Sequence, residues 1–169
     1  MRDARIVASG DLEEHQIAGL TAAGAPIDSF GVGTDLGTSR DSPVVNGIYK
    51  LVAHRVGGTW RDVHKRSPEK ATMPGAKQVF RSYVEGEMRG DVIGRVEERL
   101  PGRPLLVPFA RGGRPVREET IAGMSERARA ELSALPPWLR ELDRDGQTYP
   151  VMYSERCRAA LKAADARLV

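Results

Sequence analysis

The chain has a single cysteine, Cys157, and only 5% aromatic residues over 169 positions. One cysteine forms no internal disulfide, which fits a reducing, cytoplasmic setting. Cys157 falls in SERCRAALKAADARL, a stretch of helical character with no histidine nearby, and reads as a packing residue rather than a nucleophile. Long apolar runs are missing as well: none approaches the length that crosses a bilayer, and the N-terminus has no hydrophobic signal core. The three histidines, His15, His54 and His64, have no ligand spacing, so no metal site is expected. His15 is assigned to the surface of the first helix, and His54 and His64 to solvent-facing positions on either side of the Gly57-Gly58 turn. Charge of one sign is also lacking as a block. The net charge of +3 and pI near 9.2 invite a nucleic-acid reading. Acidic and basic residues nevertheless alternate in RVEERL, REET, SERARAE and SERCRA, the pattern of solvated faces rather than of a basic stripe. Trp60, Phe80, Tyr83 and Trp138 do not interleave as a stacking platform, and nucleic-acid binding is not expected.

Two short segments stand out, ARIVASGDLEEHQIAGL and APIDSFGVGTDL, each passing from an apolar stretch through a turn of small residues into helical sequence. In the first, Ile6, Val7 and Ala8 lead into Ser9, Gly10 and Asp11. In the second, Ile27 and Phe30 lead into Gly31, Val32, Gly33 and Thr34. Gly33 lies 23 positions after Gly10, about one strand, helix and strand, so both turns are expected at the same edge of a parallel sheet. The residue types suit a phosphate. Glycine admits positive φ and close approach of backbone N–H groups, Ser9 and Thr34 add hydroxyl donors, and a helix capped by Asp11 would present its positive end. In eight-stranded α/β barrels such sites sit in the loops after the seventh and eighth strands. A lone Gly-x-Gly-Thr turn is only backbone geometry; the ordered pair carries more weight.

Further blocks follow in order: YKLV, KRSPEK, PGAKQVFR and LLVPFARGGRPV. Together with SGDL and PIDSFGVGT they resemble the C-terminal part of nicotinate phosphoribosyltransferase over nearly the whole chain. The resemblance implies an enzyme of NAD salvage that joins nicotinate to phosphoribosyl pyrophosphate, giving nicotinate mononucleotide and pyrophosphate with ATP hydrolysis. Magnesium and ATP are the implied cofactors, with ligands outside this chain. The implied fold is α/β: the last strands and helices of a type II phosphoribosyltransferase-like barrel, then a small antiparallel sheet and C-terminal helices. Residues 1–55 would form the end of the barrel with the two phosphate turns, and residues 56–169 a basic loop, a β-rich subdomain and helices. Residue by residue, Gly31, Val32, Gly33 and Thr34 correspond to the family's loop for the ribosyl 5'-phosphate, and Ser9 and Gly10 to its partner loop. Lys65, Lys70 and Lys77 fall in the KRSPEK and PGAKQ stretch, where a mainly structural role is expected. Arg40 and Lys50 are alternative phosphate neighbours.

The family's phosphorylated histidine and nicotinate-clamping residues precede the SGD block and have no counterpart here. The catalytic residues therefore stay unassigned, and a fragment or truncated reading frame is expected, with an open strand edge and uncovered apolar faces. A second copy or a complementary N-terminal chain would cover them. Quinolinate-type phosphoribosyltransferases share the two-loop grip, but the KRSPEK and PGAKQVFR blocks weigh against them. A non-catalytic remnant is the other reading.

Downstream, Gly47–Arg55 reads as extended, and Gly57, Gly58, Pro68, Pro74 and Gly75 break the chain into a basic loop. KQVFRSYV, DVIGRVEE and PLLVPFA, separated by turns, predict an antiparallel sheet over Lys77–Ala110. Helical spacing predicts a helix over Arg117–Leu132, with Ile121, Met124, Ala128 and Leu132 on one face. A last helix is expected from Ser154, its cap, to Leu168, with Leu161 and Leu168 on its apolar face.

Overall fold

The structure, a computed structural model, describes residues 4–39, 43–44, 47–67, 70–142 and 146–167. The expectations for Arg40, Pro68 and Leu168 lie outside the described residues. Internal contacts divide the chain into two compact units, residues 1–48 and 49–169.

The first unit is one strand–helix–strand turn of parallel α/β structure. Strand β1 (Val7–Ser9) leads to helix α1 (Glu14–Ala22), strand β2 (Ser29–Gly31) and the short helix α2 (Thr34–Thr38). The strands pair in parallel with Val7 opposite Ser29, Ala8 opposite Phe30 and Ser9 opposite Gly31. A parallel pair requires such a crossover, and α1 supplies it. The Asp28 carboxylate fixes the start of the register by accepting the Ile6 N–H at 2.7 Å. Helix α1 is capped by Glu13 and not by Asp11, because Asp11 takes a turn conformation at φ +46°. The Glu13 carboxylate accepts the His15 and Gln16 N–H groups, and the Gln16 side chain accepts the Glu13 N–H in return. Ile6 and Val7 are exposed, and β1 has no strand partner but β2 among the described residues.

The second unit opens with the hairpin β3 (Ala53–Val56) and β4 (Thr59–Asp62), shorter than the extended Gly47–Arg55 segment expected and reaching into the stretch assigned to the basic loop. Its main sheet has the order β10–β6–β5–β7, built from β5 (Lys77–Val84), β6 (Glu87–Arg95), β7 (Arg103–Pro104) and β10 (Val151–Tyr153). The long β5–β6 hairpin turns through Glu85 and Gly86, both at positive φ, the conformation a two-residue turn needs to follow the strand twist. The sheet is mixed rather than antiparallel: β10 joins β6 in parallel, and of the LPGRPLLVPFA segment only Arg103–Pro104 pairs with β5. A separate small hairpin joins β8 (Ala110–Arg111) to β9 (Arg114–Pro115). Helix α3 (Ile121–Ser133) starts at Thr120, whose hydroxyl accepts the Gly123 N–H, later than the Arg117 start expected, while helix α4 (Glu155–Ala166) starts at Ser154, as the sequence predicts.

Helix α4 packs on β6 through Cys157 and Ala164, which with Phe80 and Met88 form the buried core. Cys157 is thus the packing residue expected. The buried polar residues Asp91, Glu98 and Ser154 are all hydrogen-bonded, whereas the Tyr83 hydroxyl is buried without a hydrogen-bond partner among the described residues. Glu98 accepts the Arg95 N–H and the Ser154 hydroxyl, and Ser154 also accepts the Cys157 N–H, so one hydroxyl ties the helix start to the sheet. Arg81 meets Asp91 across the β5–β6 ladder in a two-pronged ion pair, both contacts at 2.8 Å, and Tyr149 adds a hydroxyl to the same carboxylate. Among the described residues no helix is long and apolar enough to cross a membrane.

Candidate functional site

The parallel register of the first unit sets the two small-residue turns side by side. Ser9 and Gly31 are direct ladder partners at the strand ends, so close that a Cβ on Gly31 would stand 3.2 Å from the Ser9 Cβ. A side chain at position 31 would require the Ser9 side chain to give by a few tenths of an ångström. After Ser9 the chain reverses through Gly10 at φ +112°. That backbone is open to glycine and costly for any side chain. After Gly31 it runs through Val32 to Gly33, which precedes α2 at φ −115° and ψ −95°, so the positive φ anticipated for this loop is confined to the first turn. Thr34 opens α2 and is exposed, as are Ser9, Gly10, Gly31 and Gly33, while Val32 is half-buried. A first-turn N–H such as that of Thr34 has no acceptor within its own helix, leaving it and the Thr34 hydroxyl as donors on one residue.

Helix α1 contributes less than its position suggested. The His15 and Gln16 N–H groups are taken by Glu13, whose negative charge also offsets the positive helix end. A cleft of about 610 Å³ lies between the starts of α1 and α2, walled by Glu13, Glu14, Ile17, Val32, Asp35 and Leu36 among others. Of the turn residues only Val32 lines it. Three carboxylates repel a phosphate, so the anion-compatible surface is the turn pair and not this cleft. Glu13, Glu14 and His15 bring three ligand atoms within 4.8 Å of one another. Both Glu13 oxygens already accept N–H bonds, which makes the group a helix cap rather than a magnesium cage.

The lysines singled out in the sequence belong to the second unit. Lys77 donates to the Met73 and Gly75 carbonyls at 2.7 and 2.6 Å, and burial lowers its pKa from the usual lysine value. It braces the PGAK turn. The Lys65 N–H donates to the Thr72 hydroxyl and the Thr72 N–H to the Lys65 carbonyl, closing the base of the KRSPEK loop, and Lys50, Lys65 and Lys70 are exposed. His54 is exposed as expected, but His64 is not: its side chain is 4% exposed, with Nε2 3.1 Å from Asp165 Oδ1 at the end of α4. Arg66 approaches the same carboxylate oxygen at 3.4 Å. Positions 64 and 165 are too far apart in sequence for any local pattern to have paired them.

No family profile matches the chain. It does match curated proteins over most of its length. A nicotinate phosphoribosyltransferase of Mycobacterium tuberculosis is 44% identical over 158 residues, covering 92% of this chain and 33% of the relative. The Bacillus subtilis nicotinate phosphoribosyltransferase is 44% identical over 63% of the chain, and the human one 32% identical over 94% of it. The crystal structure of human nicotinic acid phosphoribosyltransferase superposes with a TM-score of 0.64 and 26% identity over 95% of this chain and 33% of that one. The chain spans about a third of the length of the first of these relatives and of the human enzyme. It is homologous to the nicotinate phosphoribosyltransferases, and corresponds to a C-terminal portion of them.

Proposed function

We propose that the chain supplies the grip on the 5'-phosphate of phosphoribosyl pyrophosphate in a nicotinate phosphoribosyltransferase. The complete enzyme forms nicotinate mononucleotide and pyrophosphate in NAD salvage, with ATP hydrolysis. The supporting observation is the direct pairing of Ser9 with Gly31, which sets the Ser9–Gly10 turn beside Gly31, Val32, Gly33 and Thr34. That surface joins backbone N–H groups to two hydroxyls. We read β1 and β2 as the last strands of an α/β barrel, completed by the portion of the family's length that lies outside this match. The exposed Ile6 and Val7 would pack there.

In the reaction, nicotinate nitrogen attacks the anomeric carbon as pyrophosphate departs. The residues of this chain act away from the bond that changes. By holding the remote phosphate they fix the ribose relative to the attacking nitrogen, and binding energy at a non-reacting group becomes orientation at the reacting carbon. Magnesium would be held by the pyrophosphate, as that cation usually is, and ATP by residues outside this chain.

Thr34→Ala removes one hydroxyl donor to a charged acceptor. Calorimetric titration with phosphoribosyl pyrophosphate is expected to show binding weakened by about 1–3 kcal/mol, with the fold unchanged because Thr34 is exposed. An unchanged dissociation constant removes Thr34 from the site.

A further inference from the structure

A second cavity, wholly within the C-terminal unit and remote in sequence from the phosphate turns, gathers cationic donors. It encloses about 320 Å³ between the β3–β4 hairpin and the end of α4. His54 and Arg61, direct partners across the antiparallel ladder, form one wall. Direct partners put both side chains on the same face of the hairpin. Arg167, from the turn that ends α4, forms the opposite wall, and the buried His64 ring closes the interior side.

The charges here do not cancel. The Arg61 side chain has no ion pair or hydrogen bond among the described residues. Arg167 donates Nε to the Ala163 carbonyl and has no carboxylate partner among the described residues, leaving its two terminal nitrogens available. The one carboxylate lining the cavity, Asp62, is engaged by Arg95, and that pairing holds the Arg95 pKa above its usual value. Asp165 is engaged by His64 and Arg66. Two guanidinium groups with nine uncommitted N–H donors between them therefore line a concave space with no free counter-charge among the described residues. Forked, planar donors of this kind match the oxygens of a phosphoryl group. The volume is at the small end of ligand cavities, roughly 300–1,000 Å³.

We propose that this cavity binds the phosphoryl group of a small phosphorylated anion, through residues other than those of the turn pair assigned to the ribosyl 5'-phosphate. Arg61 and Arg167 grip the oxygens, and His54 and His64 line the site.

The test follows the imidazole NMR signals of His54 and His64 in the full chain at fixed pH, during titration with inorganic phosphate and, separately, with adenosine 5'-monophosphate. Both signals are expected to shift saturably, and Arg61→Ala combined with Arg167→Ala to raise the apparent dissociation constant at least tenfold. Tighter binding of the nucleotide marks a nucleotide site, and equal binding a simple phosphate site. Gly10→Val, which acts on the other unit, is expected to leave the response intact, so failure here is distinct from failure of the turn-pair assignment. Arg61→Glu, a charge reversal at an exposed hairpin position, is expected to abolish the response without the second substitution. The proposal is overturned by no saturable shift with either anion, or by a response in the arginine variants equal to that of the parent.

Discussion

Asp91→Ala is expected to lower the stability of the C-terminal unit by about 3–5 kcal/mol, the cost of leaving a buried charge without its partner. Asp91 and Arg81 retain only 9% and 22% of their side-chain exposure, and both prongs of the guanidinium are committed to the Asp91 carboxylate. The hydrogen bond to Asp91 that raises the Arg81 pKa is lost in the variant, but a guanidinium keeps its proton in proteins even without it, so the orphaned arginine cannot neutralise itself to escape the penalty. Glu131, whose Oε2 stands 3.9 Å from the same guanidinium and whose Oε1 pairs with Arg103 at 2.5 Å, offsets only part of that loss. Tyr149 loses its acceptor too. Denaturant unfolding of the parent and the variant measures the difference. A control sharpens it: Arg81→Met with Asp91→Leu removes both charges, and apolar replacement of a buried pair is often neutral or stabilising. A double variant as unstable as Asp91→Ala would mean that packing around β5 and β6, and not the unpaired charge, sets the loss.

Gly10→Val should have the second largest effect, and on binding more than on global stability. Gly10 sits at φ +112°, and a Cβ placed there meets nothing within 4 Å. Space is therefore not the obstacle. The backbone is: a β-branched residue in that region costs on the order of 1–3 kcal/mol, and the turn relieves it by changing shape. The N–H groups of Gly10 and Asp11 then lose their direction. A fall of about tenfold or more in affinity for phosphoribosyl pyrophosphate is expected, since about 1.4 kcal/mol is a factor of ten. Binding equal to that of the parent would show that the first turn does not touch the ligand.

Local chemistry was legible in the sequence where it determined structure by itself. The spacing of the two turns foretold a parallel pair, and the register puts Ser9 opposite Gly31. Ser154 was readable as a helix cap because the residue type, the following Glu155 and the helical stretch beyond all agree. Where two local signals compete, the reading failed. Asp11 and Glu13 are both plausible caps, and the capping box that Glu13 forms with Gln16 settles the choice, since Asp11 is then drawn into the turn. The mixed sheet was hidden for another reason: Val151–Tyr153 reaches β6 from beyond α3, and no periodicity within three residues announces a parallel partner. His64 is the same case. Its carboxylate partner, Asp165, lies 101 positions along the chain.

The phosphate grip proposed for the Ser9–Gly10 and Gly31–Thr34 turns is tested by assaying nicotinate mononucleotide formation from nicotinate, phosphoribosyl pyrophosphate, ATP and magnesium. The purified chain is assayed alone and with the N-terminal portion of a related enzyme. Product is expected with both parts present, and its formation is expected to fall sharply with Gly10→Val. No product from soluble, folded parts, or activity indifferent to Gly10→Val, would contradict it.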